Sequence, residues 1–337
     1  MADQTISAAA ADWAEQDGLL FAVQLDGKGG ATRKGWQDVE EWRDGDAPIW
    51  AHFEQNSERV QRWLREKSGL TLITCDALLA TETRPRVFFG KKGTIAILRG
   101  VNMNPGAEPE DMVAMRLWSD GKRLISVRFQ RLMTPRDILT QLVDNETGPK
   151  TVPELYERLI GRLTERMAGV VGGYDEQLDS IEANVDTGED DDARGRLSEL
   201  RRQSVLLRRY MSPQREALNH LLQEPPPWFD EQSRMRLRET SDQMQRYIED
   251  LDAVRERCIV LKDDIANRLA EKLNQNLYVL SIIAAIFLPL GFATGLLGIN
   301  VGGMPGVDSS AAFWITCAMM VVILIIELII FRKLKWL

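Results

Sequence analysis

Two apolar stretches near the C-terminal end constrain this chain more than any other feature. Residues 277–298 contain no charged side chain, residues 311–330 contain only Glu327, and twelve residues separate the two. Each is long enough to cross a hydrocarbon core of about 30 Å as a helix, and a helix that is apolar on every side has no stable place on a water-facing surface. The connecting loop has no Lys or Arg, whereas Arg268 and Lys272 precede the first stretch and Arg332, Lys333 and Lys335 follow the second. The positive-inside rule therefore expects both termini in the cytoplasm. The opening residues, MADQTISAAAADW, have neither a basic n-region nor a long apolar core, so no secretory signal is expected and the first domain should stay cytoplasmic.

The rest of the chain differs in charge. Of 50 acids and 42 bases, only Asp308, Glu327 and the three terminal bases lie beyond residue 276, which leaves 48 acids against 39 bases and a net charge of −9. Such a surface repels nucleic acid and anionic headgroups and concentrates cations, although acidity also simply keeps a protein soluble. Cys75, Cys258 and Cys317 are odd in number and far apart, and His52 and His220 are the only imidazoles. Neither a disulfide framework nor a closed zinc site is expected from that inventory. No phosphate-binding loop, nucleophile elbow or HExxH motif is present, so an enzyme is not expected.

From Leu19 to about Arg131, short apolar runs alternate with turn signals, and MVAMRLW and LISVRF flank SDGK as a hairpin. Helices such as NSERVQRWLREKSG fall between strands, giving a mixed sheet. After Thr134 the pattern becomes helical throughout. Thr151 should cap a helix with Pro153 in its first turn and Glu154 closing a capping box, running to about Asn184. A second helix should cover Arg196 to Gln223 and end at EPPPW. No strong breaker follows Trp228 until the glycines near Leu297, so one helix of about 105 Å is expected, far longer than a bilayer core requires. The expected divisions are a mixed α/β domain at 1–150, a helical stalk and funnel at 151–276, and a two-helix membrane domain at 277–337 with an outward loop at 299–310.

That long helix carries two patterns. Met244, Tyr247, Leu251, Val254, Cys258, Leu261 and Ile265 alternate spacings of three and four, the seam of a helix packed on neighbours; Cys258 is read as packing rather than as a metal ligand. A different heptad position holds Glu249, Glu256, Asp263, Ala270, Leu277, Ala284, Gly291 and Gly298, and beside it lie Asn267, Asn274, Ser281, Leu288 and Gly295. Acids on the cytoplasmic stretch and small or mildly polar residues in the membrane suit a pore-facing stripe; a solvated face continuing as a packing face suits them equally. Two spans cannot enclose an aqueous path alone, so they either anchor the soluble domain or assemble around an axis with other copies. Pro289 and Gly291 allow a bend, and Ala284, Gly291, Gly295 and Gly298 allow close helix approach. Glu327 is read as snorkelling to the interface rather than carrying protons.

NQNLYVLSIIAAIFLPLGFATGLLGIN followed by MPG, with LLRRYMSPQREALNHLL upstream including Arg208, Pro213 and Arg215, resembles the CorA superfamily of divalent-metal transporters. The resemblance implies an α+β protein: a cytoplasmic αβα funnel domain, a long stalk helix lining the pore, two transmembrane helices and a homopentamer with a Gly-Met-Asn signature at the outer mouth. Here that signature reads Gly298-Ile299-Asn300, and Met304-Pro305-Gly306 stands where the magnesium channels commonly have Met-Pro-Glu. Both departures are similar to the zinc-associated ZntB branch, as are WAHFEQNSERVQRWLREKSGL and ALLATETRPR.

The implied site residues are Gly298, Ile299 and Asn300 at the outer mouth, then Asn274, Leu277, Ser281, Ala284, Leu288, Gly291 and Gly295 along the pore, with acid rings at Glu249, Glu256 and Asp263. Asn300 is also a natural helix C-cap. Ringed amides at Asn300 would meet a hydrated cation without capturing it, and Leu277 and Leu288 would gate by dewetting. Metal would bind only transiently, at Asn300 and Asp263, and no tightly held cofactor is implied. The expected partners are further copies of the chain, divalent metal ions and the lipid of a bacterial inner membrane, and no nucleic acid.

The reading is a Zn²⁺ transporter, with Cd²⁺ as a candidate second cargo. A CorA-type Mg²⁺/Co²⁺ channel is the alternative, favoured by the oxygen-rich path because zinc prefers nitrogen and sulfur. A membrane-anchored signalling protein without transport is a third. An inside-negative potential supplies about 4.6 kcal/mol of inward drive per 100 mV to a divalent cation, from about 2.3 per charge, so passive flux is inward. Efflux would require a coupling residue, which the sequence does not reveal.

Overall fold

The computed structural model describes residues 17–187, 192–299, 306 and 309–334. The chain divides into two compact units, Met1–Leu261 and Lys262–Leu337.

In the first unit, strands β1 (Leu19–Leu25), β2 (Ala31–Lys34), β3 (Ile49–Glu54), β4 (Arg86–Gly90), β5 (Gly93–Gly100), β6 (Val113–Ser119) and β7 (Arg123–Arg128) form a seven-stranded sheet of order β2-β1-β3-β7-β6-β5-β4. Every neighbouring pair is antiparallel except β3 and β7. The central strands are apolar at nearly every position because both faces are covered. Along β5, Ile95 and Ile97 point into one core and Ala96 and Leu98 into the other. The first core is closed by α1 (Trp36–Glu41), α2 (Glu58–Glu66) and α3 (Leu72–Leu79), through Trp36, Val60, Trp63, Leu64 and Leu78. On the opposite face α4 (Met133–Val143), α5 (Val152–Glu165) and α7 (Ala193–Gln223) bury Ile138, Leu142, Leu155, Tyr156, Leu159 and Leu218. Each such fully buried side chain contributes about 1.5–3 kcal/mol. The result is the expected three-layer αβα arrangement.

Local chemistry fixes the joints. Ser57 caps α2 by accepting from Val60 N. The β6–β7 hairpin forms where SDGK placed it: Asp120 Oδ1 accepts from Lys122 N at 3.0 Å and Arg123 N at 2.7 Å, and Gly121 sits at φ +91°. A Cβ there would come within 2.6 Å of Trp228 Cβ, so only glycine fits both the turn and its cover.

One helix differs from expectation. The run from Thr151 is two helices, α5 and α6 (Met167–Thr187), separated at Arg166. Arg166 turns to pair with Asp137 of α4, donating from Nε at 2.8 Å and Nη2 at 2.7 Å, while Arg162 Nε donates to the same carboxylate at 2.8 Å. Gly169, Gly172 and Gly173 weaken the start of α6, so nothing local resists the break. Thr151 does cap α5, accepting from Glu154 N at 3.3 Å, but Glu154 reaches Lys150 N at 2.9 Å instead of closing the box on Thr151.

Helix α8 (Glu231–Leu297) is continuous over 67 residues and passes through Pro289. With α9 (Ala312–Lys333) it provides two helices long and apolar enough to cross a membrane, and their apolar windows are unburied within the chain. Leu277, Leu288, Phe292, Trp314 and Ile315 are all exposed, a surface that water does not tolerate.

Candidate ion path

Helix α8 meets the first unit along the expected seam. Met244, Leu251, Val254 and Cys258 are buried, and Tyr247 and Leu261 are half-buried; Ile265, in the second unit, is also half-buried. Polar contacts flank that seam and fix its rotation. Ser241 Oγ donates to Asn219 Oδ1 at 2.8 Å, and Arg208 of α7 pairs with Asp252 at 2.7 Å. Arg257 gathers three carboxylates of α6: Asp175 at 3.0 Å, Asp179 at 2.7 Å and Glu182 at 2.7 Å. Hydrogen bonds to Asp179 and then Glu182 push its pKa further up.

With the seam inward, Glu249, Glu256 and Asp263 are exposed on the free side. None has a cationic partner within ion-pair distance among the described residues, whereas their neighbours Asp252 and Asp264 are paired, Asp264 with Arg268 at 2.7 Å. Negative charge is thus left uncompensated on one row and neutralised beside it.

Helical geometry refines which membrane residues share that row. At about 100° per residue a heptad drifts by about −20°. Within the second unit, taking Asp263 as reference, Asn274, Ser281 and Leu288 fall within about 20°, while Leu277, Ala284 and Gly291 lie about 40–80° away. All of these are exposed, as are Gly295, Gly298 and Ile299. The Ser281 hydroxyl donates to Leu277 O at 2.8 Å, which leaves its lone pairs outward. Gly298 N donates to Thr294 O at 2.9 Å as the helix ends. Asn300 lies outside the described residues. One chain offers single polar groups about 10 Å apart per heptad along a helix, and among the described residues no three His, Cys, Asp or Glu side chains come together to hold a metal ion.

The imidazoles and thiols are occupied elsewhere. His52 is buried with Nδ1 2.8 Å from Ser126 Oγ, and burial first, then Arg128, pushes its pKa down to about 3, so the ring is neutral. His220 stands edge-on to Phe89 at 5.3 Å. Burial raises the thiols of Cys75 and Cys258. Both carboxylate oxygens of Glu327 are covered by protein and lack a hydrogen-bond partner among the described residues.

Some polar residues carry no sequence signal. Glu157 is 4% exposed on α5, and Glu110 is buried against Tyr174 Oη at 3.2 Å and Arg202 Nη2 at 3.3 Å. Both stand in ordinary charged stretches, and only the packing hides them.

Known proteins place this geometry. The family model described as CorA-like Mg2+ transporter protein matches residues 45–333. The chain is 38% identical over 332 residues to the divalent cation transporter CmaX of Pseudomonas aeruginosa, covering 96% of this chain and 98% of that protein. It is 34% identical over 309 residues to the zinc transport protein ZntB of Pectobacterium carotovorum, covering 92% and 93%. The solved structure of full-length CmaX superposes with a TM-score of 0.83 over 95% of this chain and 99% of that one. An αβα domain continued by a helix with an unpaired acid row, two apolar C-terminal helices and a family match along most of the sequence lead to one conclusion: the chain belongs to the CorA-like family and is a divalent cation transporter.

Proposed function

We propose that the protein moves Zn²⁺ across a bacterial inner membrane through a pore formed on the axis of a homopentamer, with both termini cytoplasmic and residues 277–337 as the pore domain. The observation that carries this reading is that Glu249, Glu256 and Asp263 are exposed with no cationic partner among the described residues, while Asn274, Ser281 and Leu288 share the helical register of Asp263. Copied around an axis, these residues become three rings of carboxylates leading to amide, hydroxyl and aliphatic rings. Carboxylate rings raise the local cation concentration. The neutral rings bind weakly enough to release the ion, and Leu288 forms a dewetting constriction. Gly298, Ile299 and Asn300 form the outer mouth, where the amides of Asn300 meet the ion in its hydration shell. Metal contacts at Asn300 and Asp263 are transient, and no resident cofactor takes part.

Zinc is favoured over magnesium by the Gly-Ile-Asn signature and by the similarity to proteins named for zinc transport. The second reading, a Mg²⁺/Co²⁺ channel, draws on the absence of His and Cys from this row. Passive flux runs inward down the membrane potential.

The test is metal flux into liposomes holding the purified protein, comparing Zn²⁺ with Mg²⁺ with and without a proton gradient. Zinc flux that Asn300→Ala abolishes is expected. Magnesium flux equal to or above zinc flux would replace the first reading by the second. A correctly assembled protein that passes neither ion would leave an anchored signalling protein.

A further inference from the structure

Arg84, before β4, Arg86 at its start, Arg99 near the end of β5 and Arg209 of α7 line one cavity of about 520 Å³ in the first unit. Tyr210 and Thr83 complete the part of the wall used here. Glu82 is the one acid in the lining, so four guanidiniums face one carboxylate in a protein whose net charge is −8. None of the four arginines has a carboxylate within ion-pair distance among the described residues. Elsewhere on the same unit arginines are matched: Arg123 with Asp120 at 3.0 Å, Arg128 with Glu54 at 3.0 Å, Arg166 with Asp137 at 2.6 Å.

The cavity wall is held in place. Arg99 donates from Nη1 to Met112 O at 2.6 Å and from Nη2 to Thr83 O at 2.7 Å, and lies 4.8 Å over the Tyr210 ring, with Arg209 5.2 Å from that ring. Burial, and with it the like charge of Arg209, holds the Arg99 pKa below its usual value. Behind it Arg116 is 1% exposed; its Nη2 donates to Ala80 O at 2.7 Å at the C-terminal end of α3, while Nε and Nη1 have no hydrogen-bond partner among the described residues. Two further donors are left over beside the cavity: Arg99 Nε, and the hydroxyl of Thr83, a lining residue that is 6% exposed. Like charges gathered around a hollow, with buried donors beside it that lack a hydrogen-bond partner among the described residues, favour an anion there.

Guanidinium groups match phosphate oxygens two at a time, and four of them exceed what one phosphate uses. We propose that this cavity binds a small diphosphate-bearing anion, either inorganic pyrophosphate or the diphosphate of a nucleotide. The volume suits a ligand of that size. Bound there, the anion ties α7 to the β4–β5 edge. Arg208, next to Arg209, is ion-paired to Asp252 of α8, so occupancy bears on the helix that leads to the membrane.

The experiment is calorimetric titration of the full-length protein in detergent, in metal-free buffer of low ionic strength, with sodium pyrophosphate and separately with ADP. Saturable binding is expected, weakened about tenfold by Arg84→Ala or by Arg209→Ala, each removing one charge-assisted contact, and lost when both are replaced. ADP binding tighter than pyrophosphate identifies a nucleotide, and equal binding identifies the phosphates alone. These side chains lie at the surface, so oligomeric state and melting temperature should be unchanged. If the double alanine variant does not fold, Arg84→Lys with Arg209→Lys keeps the charge, and about tenfold weaker binding is expected from the lost bidentate geometry. Absence of saturable binding, or binding indifferent to these substitutions, overturns the proposal.

Discussion

Glu157→Gln should stabilise the first unit above neutral pH and flatten its stability profile. The Glu157 carboxylate is 4% exposed, its Oε2 has no hydrogen-bond partner, and Arg236 Nη1 stands 3.8 Å away while donating to Glu154 at 3.0 Å. Burial dominates over the nearby Arg236 and Arg158 and pushes the pKa from 4.5 to about 7. A carboxyl whose folded pKa is raised binds its proton more tightly in the native state. Its cost is therefore absent below about pH 4.5, grows as pH rises toward 7, and is fully present above. At about 1.4 kcal/mol per pKa unit, the rise corresponds to about 3 kcal/mol at pH 8. A neutral glutamine of nearly the same shape removes that cost, and Arg236 keeps Glu154. For a unit of this size about 3 kcal/mol moves the melting temperature by about 6–12 °C. Tryptophan-fluorescence melts of the purified protein and the variant, run from pH 5 to pH 8, read the effect directly. The two should coincide near pH 5 and separate progressively toward pH 8, with the variant higher. A variant that melts at or below the parent at pH 8, or a gap that does not change with pH, would refute the argument that a buried charge only partly compensated by Arg236 costs stability there.

Gly121→Ala forces a left-handed residue and a Cβ 2.6 Å from Trp228, so a loss of about 2–4 kcal/mol is expected in the same melt at fixed pH. Leu251→Ala opens a cavity in the α8 seam, where Leu251 is 1% exposed, and should cost about 2–5 kcal/mol. Arg257→Ala leaves Asp175, Asp179 and Glu182 facing one another, but all are 49–62% exposed; screening limits the loss to about 1 kcal/mol, and high salt should shrink the difference. Replacing Glu249, Glu256 and Asp263 by their amides should lower ion flux at low cation concentration more than at saturation, measured in the liposome assay.

The sequence by itself determined the features that depend on local pattern. One charge-free stretch and one whose sole charge is Glu327 are each long and apolar enough to cross a membrane, the SDGK hairpin needs no partner to be recognised, and the seam from Met244 to Cys258 is written in its spacing. The unbroken helix followed from the absence of a breaker. Tertiary structure decided what depends on residues far apart in the chain. The break falls at Arg166, whose guanidinium is held by Asp137, almost thirty residues earlier in the chain. Sequence periodicity alone left the direction of the acid row open; packing of the opposite seam leaves Glu249, Glu256 and Asp263 exposed. The buried charge of Glu157 and the arginine-lined cavity left no trace in the sequence. Burial there is set by neighbours from β4, β5, α5, α7 and α8, and electrostatics depends on distance in space rather than on distance along the chain.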